Sequence, residues 1–151
     1  MFKCHCRDCQ RVTGGGFVAA LLVPASAFRL TKGQLRYHFT PSLAGGKHKR
    51  GFCPECGSRL TGGESEERPT GFVGITAGSL DDPSWFSPQM DFFVCDAQPW
   101  DRMDQNLPKY EQYPPMSYHV LPNKITGANA GGPRQLAMQT RRAARLAQFY
   151  R

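Results

Sequence analysis

The sequence has no apolar run near the roughly 18 residues that a membrane-spanning helix needs; the longest, Phe17 to Val23, is strand-sized. It also shows no secretory leader, because Met1-Phe2-Lys3 passes straight into a cysteine cluster with no apolar stretch before it. Both absences point away from a membrane partner and towards a cytoplasmic protein. Without a leader, the six Cys of the 151-residue chain read as metal ligands or reactive thiols in a reducing compartment, not as a disulfide framework. No internal repeat is present, so a solenoid is excluded.

Acid is missing from one end. Residues 1–122 hold 13 Lys or Arg against 12 Asp or Glu, a net of +1, whereas residues 123–151 hold six basic residues and no acid, which accounts for the rest of the formal +7. The body therefore needs no acidic partner. A nucleic acid or acidic protein is expected to bind, if at all, through residues 134–151, where Arg134, Arg141, Arg142, Arg145 and Arg151 stand among good helix formers. The Gly-rich residues 123–133 read as a linker, and 1–122 as one folded domain.

What is abundant is turn-forming residues: 16 Gly and 12 Pro, spread along the chain, cut it into short segments. A mainly β fold of short antiparallel strands follows, with a C-terminal helix in the tail. Arg7 to Val12 reads as a short helix closed by Gly14-Gly15-Gly16. Strands are expected at Phe17 to Val23, Phe28 to Gly33, Leu35 to Thr40, Gly45 to Phe52 (exposed), Ser58 to Leu60, Phe72 to Thr76 and Gln89 to Cys95. Gly62 to Thr70 reads as a loop, and an aromatic, Pro-rich segment opens at Pro99-Trp100 and ends near Pro122.

Chemistry concentrates in Cys4-His5-Cys6-Arg7-Asp8-Cys9, which places three thiols and an imidazole within six positions. A packed core does not need that density; a soft metal ion, zinc first, does. The second pair lies in Cys53-Pro54-Glu55-Cys56-Gly57, two thiols on a tight turn with a glycine available for positive φ. One reading is a single zinc ribbon of Cys6, Cys9, Cys53 and Cys56; its 43 intervening residues are long for a compact ribbon, and it leaves Cys4 idle. The other is two separate sites. A closed four-ligand site is structural, whereas three ligands leave one corner for water or substrate.

The cluster Cys4 to Gln10, Gly14 to Phe17, the run Lys49 to Leu60, Ile75 to Pro83 and Gln98 to Asp101 together resemble the glutathione-dependent formaldehyde-activating enzyme family, which also includes centromere protein V. The likeness spans about residues 3 to 115. It implies a zinc-dependent, β-rich fold of the Mss4-like (β-tent) type with an open catalytic zinc on Cys4, Cys6 and Cys9 and a closed structural zinc that includes Cys53 and Cys56. The implied activity is that of a carbon-sulfur lyase acting on a glutathione, or other thiol, adduct of formaldehyde or a small aldehyde, with glutathione as co-substrate.

The sequence departs from the family pattern in lacking the earlier Cys-x-Cys that completes the structural site. The domain is accordingly read as N-terminally shortened, with the second zinc incomplete, His48 and Cys95 as substitute ligands, and an exposed sheet edge with reduced stability. Arg7, Arg11, Lys47 and Lys49, together with His48 and Arg50, are candidates for holding glutathione's carboxylates. His5 is expected to project away from an ion held by its neighbours, Asp8 to cap the helix or support the metal, and Trp85 and Trp100 to pack in the core or wall a pocket. The contrasting reading is a non-catalytic zinc module that binds its partner through the tail.

Overall fold

The computed structural model describes residues 1–115 apart from Ala44, Glu66 and Arg68; the linker and tail expectations fall outside these residues. Mainly β was expected and is found: the described residues form eight strands in one sheet and one short α-helix. In chain order they are β1 (Phe2–Cys4), α1 (Arg7–Thr13), β2 (Val18–Pro24), β3 (Arg36–Pro41), β4 (Lys47–Phe52), β5 (Arg59–Ser65), β6 (Phe72–Thr76), β7 (Asp91–Phe92) and β8 (Lys109–Tyr110). Across the sheet the order is β3-β4-β5-β6-β2-β1-β7-β8. No helix among the described residues is long and apolar enough to cross a membrane.

The continuous apolar run of β2 marks it as buried, and it lies in the middle of the sheet, antiparallel to both β6 and β1. Leu21, Val23, Val73, Ile75 and Leu80 form the larger core, with Phe28 and Trp85 packed against it. A second core joins Cys4, Cys9, Val18, Phe92 and Phe93, so two of the cluster's cysteines are part of the packed interior.

Several elements differ from their expectation. Phe28 to Gly33 makes no ladder: a 3₁₀ turn at Ala25–Ala27 follows β2, Phe28 packs against the larger core, and Leu30 lines a small cavity with Leu60 and Ile75. Their alternation records one-sided burial without a strand partner. Of Gln89 to Cys95 only Asp91–Phe92 is strand, because Phe93 takes the left-handed conformation (φ 56°) and turns the chain into a 3₁₀ helix at Val94–Asp96. β5 runs on to Ser65, into the expected loop. The strands are not all antiparallel, since the short β7 pairs in parallel with β1 and β8. Neither β1 nor β8 was foreseen; three-residue and two-residue strands carry too little pattern to read.

An exposed edge is present at β3, where five of six residues are exposed. β1 itself is interior, with neighbours on both flanks.

Close approach of β5 and β6 depends on glycine. A Cβ at Gly74 would stand 2.8 Å from the Gly62 carbonyl oxygen, a backbone atom that cannot give way cheaply, whereas one at Gly78 meets nothing within 4 Å. Gly74→Ala should therefore lower stability by roughly 1–3 kcal/mol, and Gly78→Ala should shift it by no more than about 0.5 kcal/mol, in denaturant unfolding. Equal midpoints for the two variants would contradict the packing described.

Candidate metal centre

The three N-terminal cysteines converge because three different backbone devices hold them. Cys4 ends β1 and is fixed by pairing with Val18 on one side and Phe92 on the other. Cys6 is the N-cap of α1, in a non-helical conformation, and its sulfur accepts from the Cys9 N–H at 3.4 Å. Cys9 lies in the first turns of α1, three residues on, which returns its side chain to the side of Cys6. Gly14 closes the helix at φ 70°, donating its N–H to the Gln10 carbonyl at 2.8 Å.

The result is three sulfurs within 4.8 Å of one another. Cys6 and Cys9 group with Cys4, not with Cys53 and Cys56, so the single-ribbon reading is not what the chain builds.

His5, between two of the cysteines, is fully buried and points elsewhere. Its Nδ1 lies 2.8 Å from Asp101 Oδ2 and its Nε2 lies 3.1 Å from Asp91 Oδ1. Both ring nitrogens are thus engaged by carboxylates and His5 is no ligand. Asp91, also fully buried, pairs in addition with Lys3 at 3.1 Å. Gln10 ties the same corner together, donating Nε2–H to the carbonyls of His5 and Asp96. The sequence did signal Asp91: an acid between Met90 and Phe92 in a strand that buries both faces calls for a partner. Asp101 sits against Gly16, where a Cβ would come within 2.8 Å of its Oδ2.

The thiols share their protons unequally. Hydrogen bonds from the Cys4 and Cys6 thiols pull Cys9 down to about 2, against burial and with help from Arg59 and Arg50. Cys4 is pushed well up by donating to Cys6 and Cys9 and by burial. Cys6 is pulled down by the Cys4 hydrogen bond but ends up raised, through its bond to Cys9 and burial. Before any ion binds, the cluster is one thiolate cradled by two thiols. Three soft, converging donors of this kind fit a zinc ion, and among the described residues no fourth Cys, His, Asp or Glu joins them.

Around the sulfurs stand groups from β4, β5 and the segment after β8. Arg50, buried, bonds Thr40 Oγ1 through Nε at 3.0 Å and Asp8 Oδ2 through Nη2 at 3.4 Å. Arg59 directs Nη1 to Cys9 Sγ at 4.0 Å. His48 Nε2 lies 2.9 Å from the Tyr113 hydroxyl. Burial first, then Arg50, lowers the His48 pKa and so favours the neutral ring. Burial raises Tyr113, with the cysteines adding to the effect.

Other candidates are placed differently. The two-residue period of β4 sets Lys47 and Lys49 on the opposite face from His48 and Arg50, and the Lys49 ammonium lies 4.3 Å from the centre of the Tyr37 ring. Arg7, exposed, bonds Gln10 Oε1, and Arg11, exposed, pairs with Asp8 at 3.5 Å. Trp85 packs on the core, as expected, while Trp100 is largely exposed. Sequence reasoning missed Arg59 and Tyr113 as neighbours of the cluster. A basic residue leading directly into Leu60-Thr61 was the available signal for Arg59.

Cys53 and Cys56 form a compact knuckle in which Gly57 N–H bonds the Cys53 carbonyl at 3.0 Å and Cys53 N–H bonds the Ser58 carbonyl at 2.9 Å. Cys53 is buried; Cys56 is exposed, its sulfur 3.2 Å from Ser58 Oγ. Among the described residues no third ligand atom joins the pair. His48 faces Tyr113, and Cys95 bonds the Glu111 carbonyl at 2.8 Å. Two thiols do not make a closed zinc site, so these residues by themselves do not fit a structural ion. A cleft of ≈ 590 Å³ opens beside the pair, walled by Val12, Ala19, Arg59 and Leu80 among others.

A family model described as glutathione-dependent formaldehyde-activating enzyme matches residues 1–96, well over half of the chain. No curated protein matches it.

Two outcomes test the centre. Because Cys4 and Cys6 keep their protons and Cys9 does not, loading an ion at neutral pH must release about two protons. Affinity for zinc, measured by chelator competition, should rise by about two log units per pH unit and level off once the pH exceeds the raised thiol values. A slope near three would place a proton on Cys9. Separately, His5→Leu strands Asp91 and Asp101 and should cost about 3–5 kcal/mol in denaturant unfolding of the zinc-loaded protein; a loss below about 1 kcal/mol would remove the buried histidine from the scaffold.

Proposed function

The chain belongs to the glutathione-dependent formaldehyde-activating enzyme family, and from that membership and the three-thiol cluster we propose that it is a zinc-dependent carbon-sulfur lyase that makes and breaks the adduct of glutathione with formaldehyde. The observation that carries this reading is the convergence of Cys4, Cys6 and Cys9 with no fourth side chain among the described residues. Such a set leaves one corner of a tetrahedron for an external thiol.

In the synthetic direction a thiol R–SH gives up its proton, the sulfur lone pair forms the C–S bond to the aldehyde carbon, and the C=O π pair becomes an oxyanion. That oxyanion takes up one proton to give R–S–CH₂OH. All atoms balance between the thiol and the aldehyde, with no oxidant and no third reactant. The zinc held by the three cysteines would supply the lowering of the incoming thiol's pKa.

The protein's own residues do the rest. Cys4, Cys6 and Cys9 would hold the ion in a largely buried corner, where charge interactions are stronger than in water. Arg50 and Arg59 place positive charge beside the sulfurs. His48, favoured in its neutral form and hydrogen-bonded to Tyr113, is positioned to accept a proton on the same side of the cluster. Arg7 and Arg11, exposed on α1, are the basic residues that glutathione's carboxylates would meet if the peptide extends across the surface, whereas Lys47 and Lys49 lie on the other face of β4.

Exchange spectroscopy of a glutathione–formaldehyde mixture tests this. Zinc-loaded protein should speed interconversion of free and adduct signals in proportion to its concentration, and Cys9→Ser should return the rate to background. An exchange rate equal to the uncatalysed one would leave the non-catalytic zinc module as the better description.

A further inference from the structure

The charge of the centre poses a problem that the ligands cannot solve. Three thiolates on a divalent cation leave a net charge of −1, and an anionic sulfur at the fourth corner makes it −2. Cys4 and Cys9 are buried, so the added charge is not met by bulk water and needs a fixed cation nearby.

The charged and titratable groups that face the cluster are few. Arg50 is already committed, since its guanidinium is shared with Asp8 at 3.4 Å. His48 is favoured in its neutral form by burial. Tyr113, raised by burial, stays a neutral phenol. Arg59 remains. Among the described residues it pairs with no carboxylate, its Nη1 lies 4.0 Å from Cys9 Sγ, and its buried Nε–H has no acceptor.

Its position is built in by the strand. Gly62, three residues along β5, supplies the space: a Cβ there would stand 2.4 Å from Arg59 Nη2. The bare glycine lets the guanidinium lie across the strand, towards the sulfurs.

We propose that Arg59, held over Gly62, is the charge-compensating residue that lets the three-thiol centre accept an anionic sulfur as its fourth ligand, making the site selective for thiolates over neutral donors. The proposal deepens the reading of Cys4, Cys6 and Cys9 as an open metal site and rests on it. Arg59 is a positioning residue, for it acts through the charge of the centre and not by forming a bond to carbon.

The test uses the full chain loaded with cobalt(II), whose thiolate charge-transfer absorption reports the ligands directly, with glutathione as the anionic probe and imidazole as the neutral one. Arg59→Met should still bind cobalt through the three cysteines, with a smaller loss of metal affinity than of thiol affinity, and raise the glutathione Kd of the cobalt-loaded protein at least tenfold, about 1.4 kcal/mol, with imidazole binding as before. Arg59→Lys should restore most of the glutathione affinity.

Gly62→Ala keeps the arginine but displaces its flexible end, so it should weaken glutathione binding in the same direction at near-normal stability. Wild-type affinity for glutathione in Arg59→Met would overturn the proposal alone. So would an equal loss of glutathione and imidazole, which would mark a merely structural role. If the wild-type cobalt protein gave no spectral response to any thiol, the open-site reading would fail first and the proposal with it.

Discussion

Three sulfur atoms held within 4.8 Å of one another repel as soon as more than one is ionised. Much of the described structure can be understood as the means of imposing that proximity. Before an ion arrives the repulsion is avoided by proton sharing: Cys9 carries the charge, pulled down by hydrogen bonds from the other two thiols, which hold their protons. A divalent cation replaces those protons with a stronger attraction, so the unloaded cluster is preorganised for metal, though not by preformed charge.

Proximity also has to be enforced on the backbone, and the His5 corner does so. A Cys-x-Cys pair does not bring both sulfurs to one point along a regular strand, because side chains at i and i+2 share a face but stand about 6.6 Å apart, so the backbone has to bend at the residue between them. Here that residue is driven fully inside and anchored by two carboxylates, Asp91 in β7 and Asp101 in the segment that follows it. The two-residue β7 is accordingly more than a ladder fragment. Its parallel pairing with β1 sets Asp91 beside Lys3, and the His5 N–H bonds the Phe92 carbonyl at 2.9 Å. The positive φ of Phe93 then turns the chain so that Gln10 can reach the Asp96 carbonyl. Breaking the strand there is what lets one segment both pair and clamp.

How much of this was legible follows from which residues carry short-range meaning. The density of Cys4, Cys6 and Cys9, the helix between Arg7 and the glycines, and the apolar run of β2 are local patterns, and the structure keeps all three. The projection of His5 away from the sulfurs was also readable, since two flanking ligands leave it the opposite direction. Its carboxylate partners were not, because they lie 86 and 96 residues away in sequence and nothing in Met90-Asp91-Phe92 says which buried side chain it meets. β1 and β8 escaped notice for the same reason: two or three residues become a strand only when distant neighbours supply the hydrogen bonds. Phe28 to Gly33 shows the converse error, a strand-like pattern with no ladder to join.

The basic stretch Lys47-His48-Lys49-Arg50 shows why a charge count fails where a periodicity succeeds. Counted, it is a positive patch next to a cysteine pair. Folded into β4 it divides, with His48 and Arg50 turned to the three-thiol centre and Lys49 laid on Tyr37 at the other face. The cationic character of the centre then rests on Arg50, which Asp8 answers at 3.4 Å, and on Arg59, which the next strand contributes. In a body with a net charge of +1 over residues 1–122, the charge at the centre depends on which guanidinium is left without a carboxylate and not on the surplus of basic residues. That local surplus is partly buried, so it is screened by salt far less than Lys47 or Arg11 would be.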